Sequence, residues 1–212
     1  MGASNGILCK EKVSESEPRR RSDRIRIYDE MMLQPDTRYL SQLSFQATGP
    51  GITVCFVCAG NICRSPMAEA VARARSVGVP GFTGRFESAG TGGWHQGSDA
   101  DPRARAALAK AGYSLVGHRA RRYQDEWTGA ISLVVALDVE NHRDLASLPS
   151  LRRDPEKLVL LRSFSPAGAA GGKALDVPDP YLGGPAEFEA SLRIIEESLQ
   201  GLLGALGASP RA

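Results

Sequence analysis

No stretch of the 212-residue chain approaches the roughly 18 consecutive apolar residues of a membrane-spanning helix. The N-terminus has no basic start followed by an apolar core, so a secretory signal is not expected. Gly2 has no Ser or Thr at the sixth position, which argues against myristoylation. Cysteine is scarce: there are four, and Cys55, Cys58 and Cys63 fall within nine residues, too close together to staple a fold. A disulfide scaffold is thereby excluded, and the cluster points to catalytic or metal-binding thiols in a reducing compartment, so a cytoplasmic protein is expected. Net charge is also small, at +2, which gives no ground for a nucleic-acid or membrane-surface partner. What remains is ordinary globular composition, 42% hydrophobic and 24% charged, enough for one domain with an appendage.

Residues 1–50 differ from the rest. The segment "ESEPRRRSDRIR" is dense in charge and lacks periodicity. Its Arg19, Arg20, Arg21, Arg24 and Arg26 read as a solvated tail, with an interaction patch as the alternative. A flexible extension is expected there, within which part of "IYDEMMLQPDTRYLSQLSF" could form a short helix against the body. The domain proper is placed at residues 51–212.

From Ile52 onward, strand and helix signals alternate. "ITVCFV", "RFESAG", "ISLVVAL" and "KLVLL" are short apolar runs suited to buried strands. Between them, "PMAEAVARARS" carries Pro66 where the first helical turn tolerates it, and "DPRARAALAKAGY" runs from Pro102 to a terminating Gly112. "DVENHRDLAS" is a third helix, with His142 on its surface. Phe188, Leu192, Ile195, Leu199, Leu202 and Leu206 recur at spacings of four and three, one apolar stripe for packing on a sheet. The fold class is α/β: a four-stranded parallel sheet flanked by helices on both faces, with a phosphate-binding loop after the first strand.

That loop is "VCAGNICRSP", where the first strand meets the first helix. Backbone N–H groups of a tight loop entering a helix make a concave nest for an anion, and the helix dipole adds to it. Arg64 supplies a fork for two phosphate oxygens. The same positive field favours the thiolate of Cys58, which is thus held beneath a bound phosphorus. Gly60 permits close backbone approach, and Asn61 tolerates a left-handed conformation. Ser65 can donate to the thiolate and improve it as a leaving group.

"VCAGNICRSPMAEA" resembles the signature loop of low-molecular-weight protein tyrosine phosphatases. "SAGTGGWHQGSDADPRA", "GHRAR", "VVALDVEN" and "DVPDPY" follow in that family's order, from about residue 52 to 206. The resemblance implies hydrolysis of phosphotyrosine in protein substrates through a phosphocysteine on Cys58, with no metal and no cofactor. It further implies Arg64 as phosphate clamp and Asp179 as general acid and then base. Ala59, Gly60, Asn61, Ile62, Cys63 and Ser65 would form the loop, with Ser88 and His118 in its supporting network. Trp94, His95 and Tyr181 would wall the cleft, and Asp138 would lie near the site. The family usually has a second aromatic after the tyrosine of "DPY"; here it is Leu182. A monomer is the favoured assembly.

Other readings of these residues are weaker. Cys55 and Cys58 form C-x-x-C, but no second pair completes a zinc site, and Cys55 falls inside the strand pattern as a core residue. Cys63 is either a loop filler or an oxidation partner of Cys58. "AGAAGGKA" imitates a nucleotide-binding loop, but Ala167 and Ala174 stand where Gly and Ser or Thr are needed, and a flexible loop is expected. An arsenate reductase would need relay cysteines downstream of Cys63, and none exists. A related branch of the family acts on phosphoarginine and carries threonine before the second cysteine; that position here is Ile62.

Overall fold

The structure is a computed structural model that describes residues 35–47, 51–77, 79, 82–169 and 175–207. The chain divides into two units, Met1–Met32 and Leu33–Ala212, and every described residue belongs to the second. The arginine-rich segment therefore lies outside the described residues.

Four strands, β1 (Thr53–Cys58), β2 (Arg85–Gly90), β3 (Leu133–Ala136) and β4 (Leu158–Leu160), pair in parallel in the order β2-β1-β3-β4. β1 thus has a neighbour on each side, and the chain reverses its direction of winding there. In open parallel sheets that point leaves a crevice beyond the carboxyl ends of the strands. Cys58 is the last residue of β1. The expected strands are all present, and β2 has the expected bounds.

Alternation along β1 assigns its two faces. Val54, Phe56 and Cys58 share a core with α2 (Arg64–Ser76), α3 (Pro102–Lys110) and the long C-terminal helix α7 (Pro185–Ala205). Cys55 and Val57 turn to the other face, with Leu145 of α4 (Val139–Ala146) and Leu151 of the short α5 (Pro149–Arg153). Strands buried on both faces explain why these runs read as continuously apolar. Phe188, Leu192, Ile195, Leu199 and Leu202 of α7 are buried as a stripe, and Leu206 just beyond its end is buried too.

The short helix offered ahead of residue 51 is present, and two further details differ from expectation. Helix α1 (Thr37–Ala47), ahead of the boundary placed at residue 51, sends Leu40 and Leu43 into the first core, because its apolar face has sheet-covering helices to rest on. His142 is 7% exposed, since it lies three residues before the buried Leu145, on the same face of α4. The first three residues of "AGAAGGKA" belong to one helical turn, Pro166–Ala169 (α6), and the rest of the motif lies outside the described residues. Among the described residues no helix is long and apolar enough to cross a membrane.

Candidate active site

The loop after β1 turns on Asn61, whose φ of 55° is the left-handed conformation expected there. Such a residue costs on the order of 1–3 kcal/mol and persists only where its surroundings over-determine it. They do. The buried Asn61 amide donates to Ser65 Oγ and Ser88 Oγ, both at 2.9 Å. Its Oδ1 accepts from the Arg121 backbone N–H at 2.9 Å, and its backbone carbonyl lies 2.8 Å from His118 Nε2. Ser88 in turn donates to Glu69 Oε2 at 2.5 Å, and Glu69, buried on α2, pairs with Arg73. Gly90 lets β2 run close alongside: a Cβ there would meet the Ala59 carbonyl oxygen at 2.6 Å. At Gly60 a Cβ would meet the His95 ring at 2.9 Å.

Cys58 Sγ lies 3.1 Å from Ser65 Oγ, which also lies 3.1 Å from the Ala89 carbonyl. A hydroxyl has one proton to donate and already accepts from Asn61. With a thiol at Cys58 that proton can rest on Ala89; a thiolate draws it toward sulfur. Helix α2 starts at Arg64, two residues before Pro66, so its N-terminal dipole end opens directly onto the loop. Cys63 precedes it. Burial pushes the Cys63 thiol up to about 12, with Asp101, Cys58 and Asp179 adding to the effect, so it stays protonated at neutral pH.

Arg64 is buried and faces two carboxylates. Nη1 donates to Asp138 Oδ2 at 2.5 Å and to the Val177 carbonyl at 3.1 Å, and Nη2 donates to Asp179 Oδ2 at 2.8 Å. Its Nε is buried without an acceptor. Burial opposes the guanidinium charge, yet Cys58, Asp179 and Asp138 together hold Arg64 above the usual arginine range. The two carboxylates differ in setting. Asp138 caps α4, accepting from the Asn141 N–H at 2.6 Å, and its side chain is 16% exposed. Asp179 stands on the loop ahead of α7 with its side chain 46% exposed. The first braces Arg64; the second is accessible for proton transfer.

Above the loop is a cleft of about 200 Å³, floored by Ala59, Gly60, Ile62 and Cys63 and walled by Trp94, His95, Asp179 and Tyr181. The His95 and Tyr181 rings lie 6.1 Å apart, tilted by 56°. Trp94 is 77% exposed, and Leu182 is 96% exposed beside the cleft. A larger groove of about 390 Å³ along α3 holds neither a cysteine nor a buried charge among its lining residues, so the chemistry belongs to the smaller cleft.

Every candidate site residue named from the sequence lies in this loop, beside Arg64, in the loop's supporting network or in its cleft. Three others belong beside them: Glu69, Arg121 and Arg103. Glu69 was hidden in an alanine-rich helix as an ordinary helix former. Its spacing of four from Arg73 was the available signal. Arg121, in the "GHRAR" stretch, donates to the Ser88 carbonyl at 3.0 Å and to Glu87 at 2.8 Å. Arg103, at the start of α3, reaches the loop that carries Asp179.

A cysteine beside a helix N-terminus, close to a buried guanidinium whose Nε has no acceptor, on a doubly wound parallel sheet, is the design of a cysteine-dependent phosphatase fold. Residues 53–211 match the family described as low molecular weight phosphotyrosine protein phosphatase. A low molecular weight protein-tyrosine-phosphatase of Streptomyces coelicolor is 54% identical over 155 residues, 72% of this chain and 92% of that one. Low molecular weight protein-tyrosine phosphatase A of Mycobacterium tuberculosis is 46% identical over 151 residues, covering 70% and 88%. The crystal structure of YfkJ from Bacillus subtilis superposes with a TM-score of 0.66 at 33% identity, covering 74% of this chain and 94% of that one. The chain belongs to the low molecular weight protein-tyrosine phosphatase family.

Proposed function

We propose that the protein hydrolyses phosphotyrosine in protein substrates through a phosphocysteine on Cys58. The observation that carries this reading is Arg64 Nε, buried without an acceptor while both Nη nitrogens are engaged. An unpaired buried donor costs about 1–3 kcal/mol, which a phosphoryl oxygen above the loop removes. Backbone N–H groups of residues 59–64 and the α2 N-terminus take the other oxygens.

Held there, phosphorus lies over Cys58. The thiolate attacks, the bond from phosphorus to the phenolic oxygen breaks, and Asp179 gives its proton to the departing oxygen. Asp179, now a carboxylate, takes a proton from the water that attacks the phosphocysteine. The bond from phosphorus to sulfur breaks, Cys58 departs as a thiolate stabilised by the Ser65 hydroxyl, and phosphate is released from Arg64 and the loop. Asp138 braces Arg64, while Asn61, Ser88 and His118 keep the loop in shape. The free thiols of Cys55, Cys58 and Cys63 suit a reducing, cytoplasmic setting.

Ile62 supports phosphotyrosine over phosphoarginine. Its side chain floors the cleft, where it offers only apolar surface. A guanidinium next to phosphorus would be desolvated there without compensation, whereas a phenyl ring loses nothing and meets Trp94, His95 and Tyr181. The expected outcome of side-by-side kinetics is a higher kcat/KM for phosphotyrosine, with Ile62→Thr narrowing the gap. A parent enzyme that favours phosphoarginine overturns this substrate assignment.

A further inference from the structure

In the loop that carries Asp179, Val177 and Pro180 are buried, whereas Pro178, Asp179, Tyr181 and Leu182 are exposed. Pro178 and Pro180 restrict its dihedral angles but do not say where it lies. Leu182 points to solvent, and the Tyr181 ring is half exposed. Besides the burial of Val177 and Pro180 and the Asp179–Arg64 ion pair, the loop is held by its backbone carbonyls. On the N-terminal side of Asp179, Ser191 Oγ donates to the Pro178 carbonyl at 2.8 Å. On the C-terminal side, Arg103 Nη2 donates to the Tyr181 carbonyl at 3.1 Å and Nη1 to the Gly183 carbonyl at 2.7 Å.

Arg103 is itself fixed. Its Nε and Nη2 grip both oxygens of Asp101, at 3.0 and 2.8 Å, and its guanidinium lies 4.6 Å over the buried Phe188 ring. Asp101 also caps α3 through the Arg103 N–H at 2.8 Å, and its own N–H donates to the Ile62 carbonyl at 2.8 Å. One ion pair therefore touches the two loops whose side chains must meet at phosphorus. Hydrogen bonds from Arg103 hold the Asp101 carboxyl below the usual carboxylate range, so the pair stays charged through neutral pH. A planar fork that serves one carboxylate and two carbonyls at once is a task for arginine rather than lysine.

We propose that Arg103, seated on the phosphate loop through Asp101, is a positioning residue that sets where Asp179 stands relative to Cys58. The inference rests on the reading of Asp179 as general acid given above. Displacement of about 1 Å in a catalytic group can cost on the order of a hundredfold in rate, so loss of the clamp is felt at the leaving-group oxygen.

The test is kcat/KM for a series of aryl phosphates, which reports the phosphorylation step. Arg103→Ala should lose about tenfold or more on phenyl phosphate, whose leaving group needs the proton. On dinitrophenyl phosphate, which departs unaided, the loss should be about twofold or less. Inhibition by inorganic phosphate, a probe of the loop alone, should be unchanged within about twofold. Arg103→Lys should fall between parent and Ala, and it carries the test if the Ala variant does not fold. In an Asp179→Asn background, Arg103→Ala should add nothing on phenyl phosphate.

Losses equal across the series, losses that add to those of Asp179→Asn, weakened phosphate inhibition, or no loss at all each overturn the positioning role. Should Asp179→Asn itself show no dependence on the leaving group, the acid assignment fails first and the inference falls with it. That result is distinguishable from failure of Arg103 alone.

Discussion

Asn61 concentrates the strain and the order of the site in one residue. Its left-handed backbone and its side-chain bonds to Ser65, Ser88 and the Arg121 N–H contribute separately. Asn61→Gly removes the side chain but relieves the backbone; Asn61→Ala removes the side chain and keeps the strain. Both variants should lose most activity, and Ala should be less stable than Gly by about 1 kcal/mol. Denaturant midpoints check this, and equal midpoints would show that the backbone is not strained. At this scale the residues proposed to react were legible, because Cys58, Arg64, Ser65 and Asp179 are chemically distinctive in short motifs. Glu69 and Arg103 were not. A carboxylate in an alanine-rich helix and an arginine after a proline look like surface residues until the chain folds, because the partners that tie them to the site, Ser88 for Glu69 and the Tyr181 and Gly183 carbonyls for Arg103, are distant in sequence.

The helices differ in what they do for the site. α2 delivers its N-terminus to the anion loop, and its start at Arg64 rather than Pro66 makes Arg64 the first helical residue. Proline marked the first turn but not the first residue, since the strained loop, not proline chemistry, decides where the helix begins. α1 serves stability instead. Tyr39 of α1 donates to the Ser132 carbonyl at 2.5 Å, just before β3 and so at the end of the sheet opposite Cys58. Leu43→Ala should cost about 2–5 kcal/mol in denaturant stability while kcat of the folded enzyme stays unchanged. A change in kcat without loss of stability would mean that α1 communicates with the cleft. The sequence allowed a helix here but left its attachment open, because one apolar face does not name its partner.

At the scale of the whole molecule, the order β2-β1-β3-β4 explains why one decapeptide could announce the function. The winding reverses at β1, so the crevice opens where Cys58 ends the strand; β2 itself carries Ser88 to that edge, and the connections after β3 and β4 bring Asp138 and Asp179 there. Strand and helix alternation made the parallel sheet legible. The closure of the acid loop was not, since it depends on carbonyls that any residue supplies. The central claim is that Cys58 carries the phosphoryl group in turnover. Asp179→Asn enzyme mixed with dinitrophenyl phosphate should form the intermediate readily and break it down slowly, because the base for water is gone. Rapid denaturation in mid-turnover, digestion and mass spectrometry should then find one phosphoryl group on the peptide bearing Cys58, and none there in a Cys58→Ala variant. A phosphoryl group on another residue, or turnover with no phosphoenzyme at any time, would contradict the account.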